Sequence, residues 1–301
     1  MKVLITGATG LIGQAIVSQC HNLNIAVHYL TTSQEKISQQ ENYRGFYWNP
    51  KNNEIDVACL EGVEAIINLA GSTISKRWTA SYKNVILNSR LNTLRLIKET
   101  LEKEKHEIKH VISASAIGIY PDSLTNYYDE GTKATSTSFL GEVVEKWEAM
   151  TDTFQELSVV VSKIRIGLVL DNEQGALPQI VKPVKYGFGA AFGSGNQWQS
   201  WIHIKDLAGI FVHVLKHKLE GVFNGVAPNP VTNTELTKTV AGVLNKPLFL
   251  PNIPKSLMKL ILGDMHILLF ESQRVSSKKI EDSGYQFEYV NIKPAVASLL
   301  D

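Results

Sequence analysis

A doubly wound, mostly parallel α/β sheet with a small, mainly helical C-terminal lobe is predicted from three observations. Apolar runs recur that have no polar face, helical periodicities lie between them, and a glycine-spaced turn joins the first run to the first helix. Strands apolar on both faces suit a sheet covered by helices on both sides, and strand–helix alternation makes successive strands parallel.

The elements follow in order. "KVLITG" (2 to 7) is an apolar run ended by glycine, and "IAVHYLT" (25 to 31), "VEAIINLAG" (63 to 71), "KHVISASA" (109 to 116) and "SVVVSKIR" (158 to 165) repeat the pattern. Between them, Leu87, Leu91, Leu94 and Leu101 share one helical face of 82 to 102. Leu140, Val143, Val144, Trp147 and Met150 share one face of 139 to 151. The stretch 186 to 201, rich in glycine and aromatics and without a period, reads as a loop packed over something, with Trp198 and Trp201 as walls or as packing between lobes. A helix "KDLAGIFVHVLKH" and a strand "GVFNGVA" follow, and from Pro228 the chain becomes helical, punctuated by prolines. The expected division is a nucleotide-binding domain at 1–227 and a small lobe at 228–301, to which the loop at 171–200 contributes.

Composition narrows the function. The 301 residues are 44% hydrophobic and 20% charged, enough for a full core and too apolar for disorder. A net charge of +1, with Lys103, Lys105 and Lys109 interleaved with glutamates, argues against nucleic acid as partner. The two cysteines, Cys20 and Cys59, have no CxxC spacing, and the apolar runs are too short to span a membrane, so a cytoplasmic setting is expected. The eight histidines have no second ligand at a recognised spacing, so no metal is expected, and no Gly-x-Ser-x-Gly elbow suggests a hydrolase.

The turn "ITGATGLIG" places Gly7, Gly10 and Gly13 between strand and helix. The first glycine permits the tight turn, the second lets backbone approach a pyrophosphate, and the third lets helix pack on strand, which is the Rossmann arrangement for a dinucleotide. An acidic residue at the end of the second strand would grip the ribose of NAD; the chain reads Leu30-Thr31-Thr32-Ser33 there. With three hydroxyls and Lys36 available to a 2′-phosphate, NADP(H) is favoured, NAD(H) being the alternative.

"TGATGLIG", "INLAG", "SASAIGIY" and "SWIHIKDLAG" together resemble the extended and atypical short-chain dehydrogenase/reductases. More narrowly, "KRWT", "LNSR", "KWEA", "GSGNQWQSWIH" and "NGVAPNPVTNTEL" resemble the "epimerase family protein" group, in one register from residue 1 to about 299. The resemblance implies that Gly7, Thr9, Gly10, Leu11, Ile12 and Gly13 wrap the pyrophosphate and that Thr31 and Thr32 meet the adenosine ribose. It also implies that Leu69, Ala70 and Gly71 line the adenine and ribose cleft and that Arg90, with Ser115, lies near the cofactor. The family commonly has a basic residue where Thr32 stands, a departure that weakens the NADP preference it implies. The helices at 82 to 102 and 139 to 151 occupy positions that form a dimer seam in many relatives, so a monomer or homodimer is expected.

Active members of this superfamily use a Tyr-x-x-x-Lys pair, in which lysine brings the tyrosine pKa down from about 10 and the i, i+4 spacing sets both on one helix face. Ser115 fits the accompanying serine, but Phe139 and Val143 stand in the expected Tyr and Lys places, and neither moves a proton. Tyr47 with Lys51 and Tyr289 with Lys293 match the spacing in the wrong regions. Ser115 with Tyr120 is the remaining catalytic candidate, with Tyr120 also readable as a pocket wall and Glu142 with Lys146 as a surface ion pair. His203 and Asp206 read as structural, with Asp206 satisfying free N–H groups at the start of a helix. Two readings follow: an NADP-dependent oxidoreductase or epimerase-like enzyme acting on a small carbonyl or sugar-like substrate, or a nucleotide-binding sensor without turnover.

Overall fold

The computed structural model describes residues 1–300. The first half runs β1 (Lys2–Thr6), α1 (Leu11–Asn22), β2 (Ala26–Thr31), β3 (Gln39–Gln40), β4 (Tyr43–Asn49), β5 (Glu54–Ile55), β6 (Ala65–Asn68), α2 (Ala80–Lys103), β7 (His110–Ala116), β8 (Tyr127–Tyr128) and α3 (Phe139–Asp152). Next come β9 (Val160–Ile166), β10 (Leu168–Leu170), α4 (Leu177–Lys185), β11 (Trp198–Gln199), β12 (Trp201–His203), α5 (Ile204–His217) and β13 (Gly221–Gly225). The remainder is β14 (Val231–Thr232), α6 (Asn233–Val243), α7 (Lys255–Leu262), α8 (Ile267–Phe270), β15 (Arg274–Val275), α9 (Lys278–Asp282) and α10 (Ile292–Leu300).

The main sheet has the parallel order β13-β9-β7-β6-β1-β2-β4, with β3 and β5 added antiparallel to β4. Ile5 pairs with Tyr29 on one side and Ile67 on the other, so the strand order reverses at β1 and a crevice opens above its carboxyl end. Val3, Leu4 and Ile5 are all buried, which is why β1 reads as a run and not as an alternation. Helices α1 and α5 pack together on one face and α2 and α3 on the other. On α2, Ile86, Leu94, Ile97 and Leu101 are buried, and each such side chain contributes roughly 1.5–3 kcal/mol relative to exposure.

Two departures from the sequence reading concern the strands and the loop. Tyr43–Asn49 is a full parallel strand of the sheet, missing from the apolar runs because its tyrosines and Arg44 leave it only partly buried. The stretch 171–200 is not all loop: Pro178 in the first turn starts the nine-residue α4, whose Leu177, Val181 and Val184 enter a second core with Trp201, Leu236, Val240 and Val296. Trp201 therefore packs inside this core, its indole donating to the Asn229 carbonyl at 2.9 Å, while Trp198 alone faces the cleft described below.

The start of α5 fastens the C-terminal part to the sheet. Its cap is His203, whose Nδ1 accepts from the Lys205 amide at 3.1 Å. Asp206 does satisfy free N–H groups, but those of Glu288 (2.8 Å) and Tyr289 (3.0 Å) in the C-terminal segment, and the Tyr285 hydroxyl donates to it as well. Among the described residues no helix is long and apolar enough to cross a membrane, and no group of three or more His, Cys, Asp or Glu is placed to hold a metal.

Candidate functional site

The crevice above β1 is built by the glycine turn. Gly7 has φ +73°, and a Cβ on Gly13 would lie 2.2 Å from the Gly7 carbonyl oxygen, so both positions exclude side chains. No side chain caps α1 at Gly10, which leaves the helix start open to an anion. Behind the turn, Thr6 Oγ1 donates to Asn68 at 2.8 Å and accepts from the amides of Leu69 and Ala70 at 3.1 Å, and Asn68 donates to Ser113 at 3.1 Å. This buried relay fixes the ends of β1, β6 and β7 at one height and positions Leu69, Ala70 and Gly71 across from Gly7.

At the end of β2, Thr31 is buried and exchanges hydrogen bonds with Ser33, whereas Thr32 is exposed. No carboxylate stands at Leu30–Ser33 itself, but one lies nearby. Glu35 lies two residues on and accepts a short hydrogen bond from the Ser33 hydroxyl, which holds its carboxylate below the usual pKa.

Arg90 joins the crevice to a deeper cleft. A Cβ on Gly71 would lie 3.2 Å from its guanidinium, which donates to the carbonyls of Ile86 (2.9 Å) and Ser72 (3.2 Å) and lies over the Trp147 ring at 4.9 Å. Burial lowers the Arg90 pKa to about 10, and among the described residues no carboxylate pairs with it. The indole Nε1 of Trp147, a residue 6% exposed, has no acceptor either. Both donors line the same cleft and suit a ligand that brings an acceptor.

That cleft has a volume of about 210 Å³ and lies beyond the carboxyl ends of β7 and β9, under Trp198 and Leu268. Its walls are largely apolar, and its only ionisable side chains are Arg90 and Glu271. The face of α3 turned to it carries Leu140, Val143, Val144 and Trp147. Two i, i+4 pairs face the cleft, Leu140–Val144 and Val143–Trp147; Val143 is thus in the wall as one half of the Phe139–Val143 pair read from the sequence, while Phe139 packs edge-on against Trp78. Neither pair moves a proton.

Ser115 and Tyr120 are turned away from the cleft. Side chains alternate along β7, so Ala116 faces the cleft while Ser115 donates to buried Glu148 at 2.5 Å. Glu148 also accepts from Arg165 Nε (2.8 Å) and Nη2 (2.9 Å); burial works to raise its pKa, but these donors hold it below the usual value. Tyr120, fully buried, accepts from Arg165 Nη1 at 3.0 Å and donates to Asn224 at 2.8 Å, and burial raises its pKa to about 12. The two hydroxyls belong to one buried network centred on Arg165. Glu142 and Lys146 form an exposed ion pair at 2.5 Å. Glu271, which the sequence reading passed over, sits in the apolar "ILLFESQRV", where a lone acid amid apolar residues was the available signal.

Comparison with known proteins agrees with this geometry. Residues 3–139 match the NAD dependent epimerase/dehydratase family, and residues 253–299 match a domain of unknown function, DUF1731. Epimerase family protein SAR0825 of Staphylococcus aureus is 34% identical over 300 residues, 99% of each chain. Epimerase family protein SH2119 of Staphylococcus haemolyticus is 33% identical over 305 residues, covering 100% of this chain and 99% of its own. The crystal structure of human epimerase family protein SDR39U1 with NADPH superposes with a TM-score of 0.86 at 30% identity over 99% of both chains. A nucleoside-diphosphate sugar epimerase from Corynebacterium glutamicum superposes at 0.80 with 27% identity, covering all of this chain and 58% of the other. With its glycine turn, its reversed strand order and its matching C-terminal segment, the chain belongs to the NAD(P)-binding epimerase family within the short-chain dehydrogenase/reductases.

Proposed function

We propose that the protein binds NADP(H) across the crevice and acts as an oxidoreductase on a small, apolar carbonyl compound in the adjoining cleft. The observation that carries this reading is the placement of Arg90, which packs against Gly71 at the crevice and lines an apolar cavity of about 210 Å³. That volume lies below the roughly 300–1,000 Å³ of pockets for drug-sized ligands, which favours a compact substrate over a nucleotide sugar. Residues 1–227 would hold the nucleotide, with 171–200 and 228–301 closing the substrate side.

The chain's own groups support the nucleotide. Gly7, Thr9, Gly10, Leu11, Ile12 and Gly13 present backbone to the pyrophosphate at the uncapped start of α1. Thr31 and Thr32 lie at the adenosine ribose end, Leu69, Ala70 and Gly71 form the opposite wall, and Arg90 offers a guanidinium without a carboxylate partner. The bound nicotinamide would supply or accept a hydride. The structure of human SDR39U1 with NADPH supports the NADP reading, while Glu35 beside Ser33 opposes a 2′-phosphate.

A second reading, a sensor that binds nucleotide without turnover, draws on Phe139 and Val143 where the superfamily's proton-transfer pair would stand, and on the apolar face of α3 turned to the cleft. Calorimetric titration with NADPH, NADP, NADH and NAD, beside absorbance of the reduced nicotinamide with apolar aldehydes and ketones, separates the two. Binding with oxidation of NADPH is the expected result; binding without turnover favours the sensor, and no binding overturns both.

A further inference from the structure

Resting on the oxidoreductase reading, the cleft raises a question its α3 wall does not answer: reduction of a carbonyl needs a proton at oxygen, and Leu140, Val143, Val144 and Trp147 offer no titrating group. Ser115 and Tyr120 are engaged in the Arg165 network behind the wall. Among the residues lining the cleft only Arg90 and Glu271 ionise, and a guanidinium does not release its proton near neutrality.

We propose that Glu271 is the proton donor of this cleft, its carboxyl protonating the oxygen of a small apolar aldehyde or ketone in place of the missing Tyr-x-x-x-Lys pair. Glu271 follows α8, on the segment that closes the cleft from the C-terminal side, and its position is set by several independent bonds. The Glu271 amide donates to the Ile267 carbonyl at 2.9 Å. The next residue, Ser272, receives at its hydroxyl the Trp198 amide (3.0 Å), donates that hydroxyl to the Ser123 carbonyl (2.8 Å), and donates its amide to Asp122 (2.8 Å). Gln273 then donates to the Tyr120 carbonyl at 3.0 Å. The backbone that carries the carboxyl is thus a fastened turn in the cleft wall.

The surroundings keep that carboxyl protonated further toward neutrality than a solvated glutamate. Burial raises its pKa most, Asp122 adds to the rise, and the Ser138 hydroxyl, Gln273 and the more distant Lys255 act against it. Glu271 has no ion-pair partner among the described residues, so no fixed cation pins it as a carboxylate. In the step itself the carbonyl carbon would gain its C–H bond from the hydride that bound NADPH supplies, as a nicotinamide C–H bond breaks and NADP is left oxidised; the C=O π pair moves to oxygen, and an O–H bond forms there as the Glu271 O–H breaks. The carboxylate left behind regains a proton from water, since the residue is only partly buried.

The test is a pH titration read in two ways. In protein carrying 13C-labelled glutamate, one carboxyl resonance is expected to titrate above the ordinary glutamate range and to vanish in Glu271→Gln. With NADPH and a panel of apolar aldehydes and ketones, wild-type turnover is expected to fall as pH rises through that same value. Glu271→Gln is expected to bind NADPH as wild type does and to turn over about 100-fold more slowly or less, with Glu271→Asp recovering part of the rate. A Glu271 carboxyl titrating at the ordinary value, or a Gln variant that keeps the wild-type rate and pH limb, overturns the assignment. Wild-type protein that binds NADPH yet reduces nothing in the panel overturns the oxidoreductase reading beneath it.

Discussion

Arg165 and Arg90 sit on opposite sides of the α3 wall and have opposite surroundings. Arg165 is clasped by both oxygens of Glu148 and by Tyr120, and although burial alone would lower its pKa, these partners raise it above the ordinary arginine value. Arg90 has only two carbonyl oxygens and the face of Trp147, and burial lowers it to about 10. A guanidinium saturated by a carboxylate is a strut, whereas one left with carbonyls retains the capacity to meet an anion. The same residue type therefore serves the framework on one side and, on the function proposed above, ligand capture on the other.

The largest effect is expected from breaking the strut. Glu148→Ala leaves Arg165 buried and unpaired and should cost about 3–5 kcal/mol in urea unfolding, with the double variant Glu148→Leu/Arg165→Met recovering most of it. An unchanged single variant would remove the distinction between the two arginines. Arg90→Met leaves no charge unpaired and should change the unfolding free energy by only about 1 kcal/mol while weakening NADPH binding roughly 10–100-fold, the worth of a charge-assisted bond of about 1.5–3 kcal/mol. Loss of stability with intact binding would place Arg90 with the framework instead.

Acid should separate the pair further. The folded-state pKa of Glu148 is depressed, so the stability it confers is complete above the unfolded glutamate value near 4.5 and is lost as pH falls through the lower folded value. Glu148→Gln is expected to flatten this acid limb of the stability profile, and Arg90→Met to leave it unchanged. The smallest effect is at the ribose end of the crevice, where Glu35→Gln should improve NADPH affinity relative to NADH by a few-fold, because one exposed carboxylate is screened by salt. Isothermal titration with both nucleotides measures it.

Much of this was legible in the sequence because backbone needs leave narrow marks. Gly7, Gly10 and Gly13 are required by a positive φ and by close approach, and Val3 to Ile5 are apolar because helices cover both faces of β1. What escaped detection depends on side-chain direction or on contacts distant in sequence. Ser115 and Ala116 are neighbours on a strand, so one faces the Arg165 network and the other the cleft, and a one-residue difference in register exchanges those roles. On α3 Val143 lines the cleft while Phe139, one turn earlier, packs edge-on against Trp78, a contact distant in sequence. Glu271 gains its meaning only from Trp198 and Ser123, far away in the chain, and the partly exposed tyrosines of β4 conceal a strand that pairs with β2.

Outside the main sheet, β8 and β15 pair in parallel and Ser272 bonds to Asp122, joining segments 150 residues apart. Loop closure over that distance is entropically costly, and contacts of such high sequence separation form late. The nucleotide crevice, by contrast, is complete once residues up to β7 have met. A chain emerging from the ribosome would thus assemble its dinucleotide site before it has any substrate cleft, and Trp198, whose indole donates to the Leu124 carbonyl at 3.0 Å, is the fluorophore that would report the second event separately from the first.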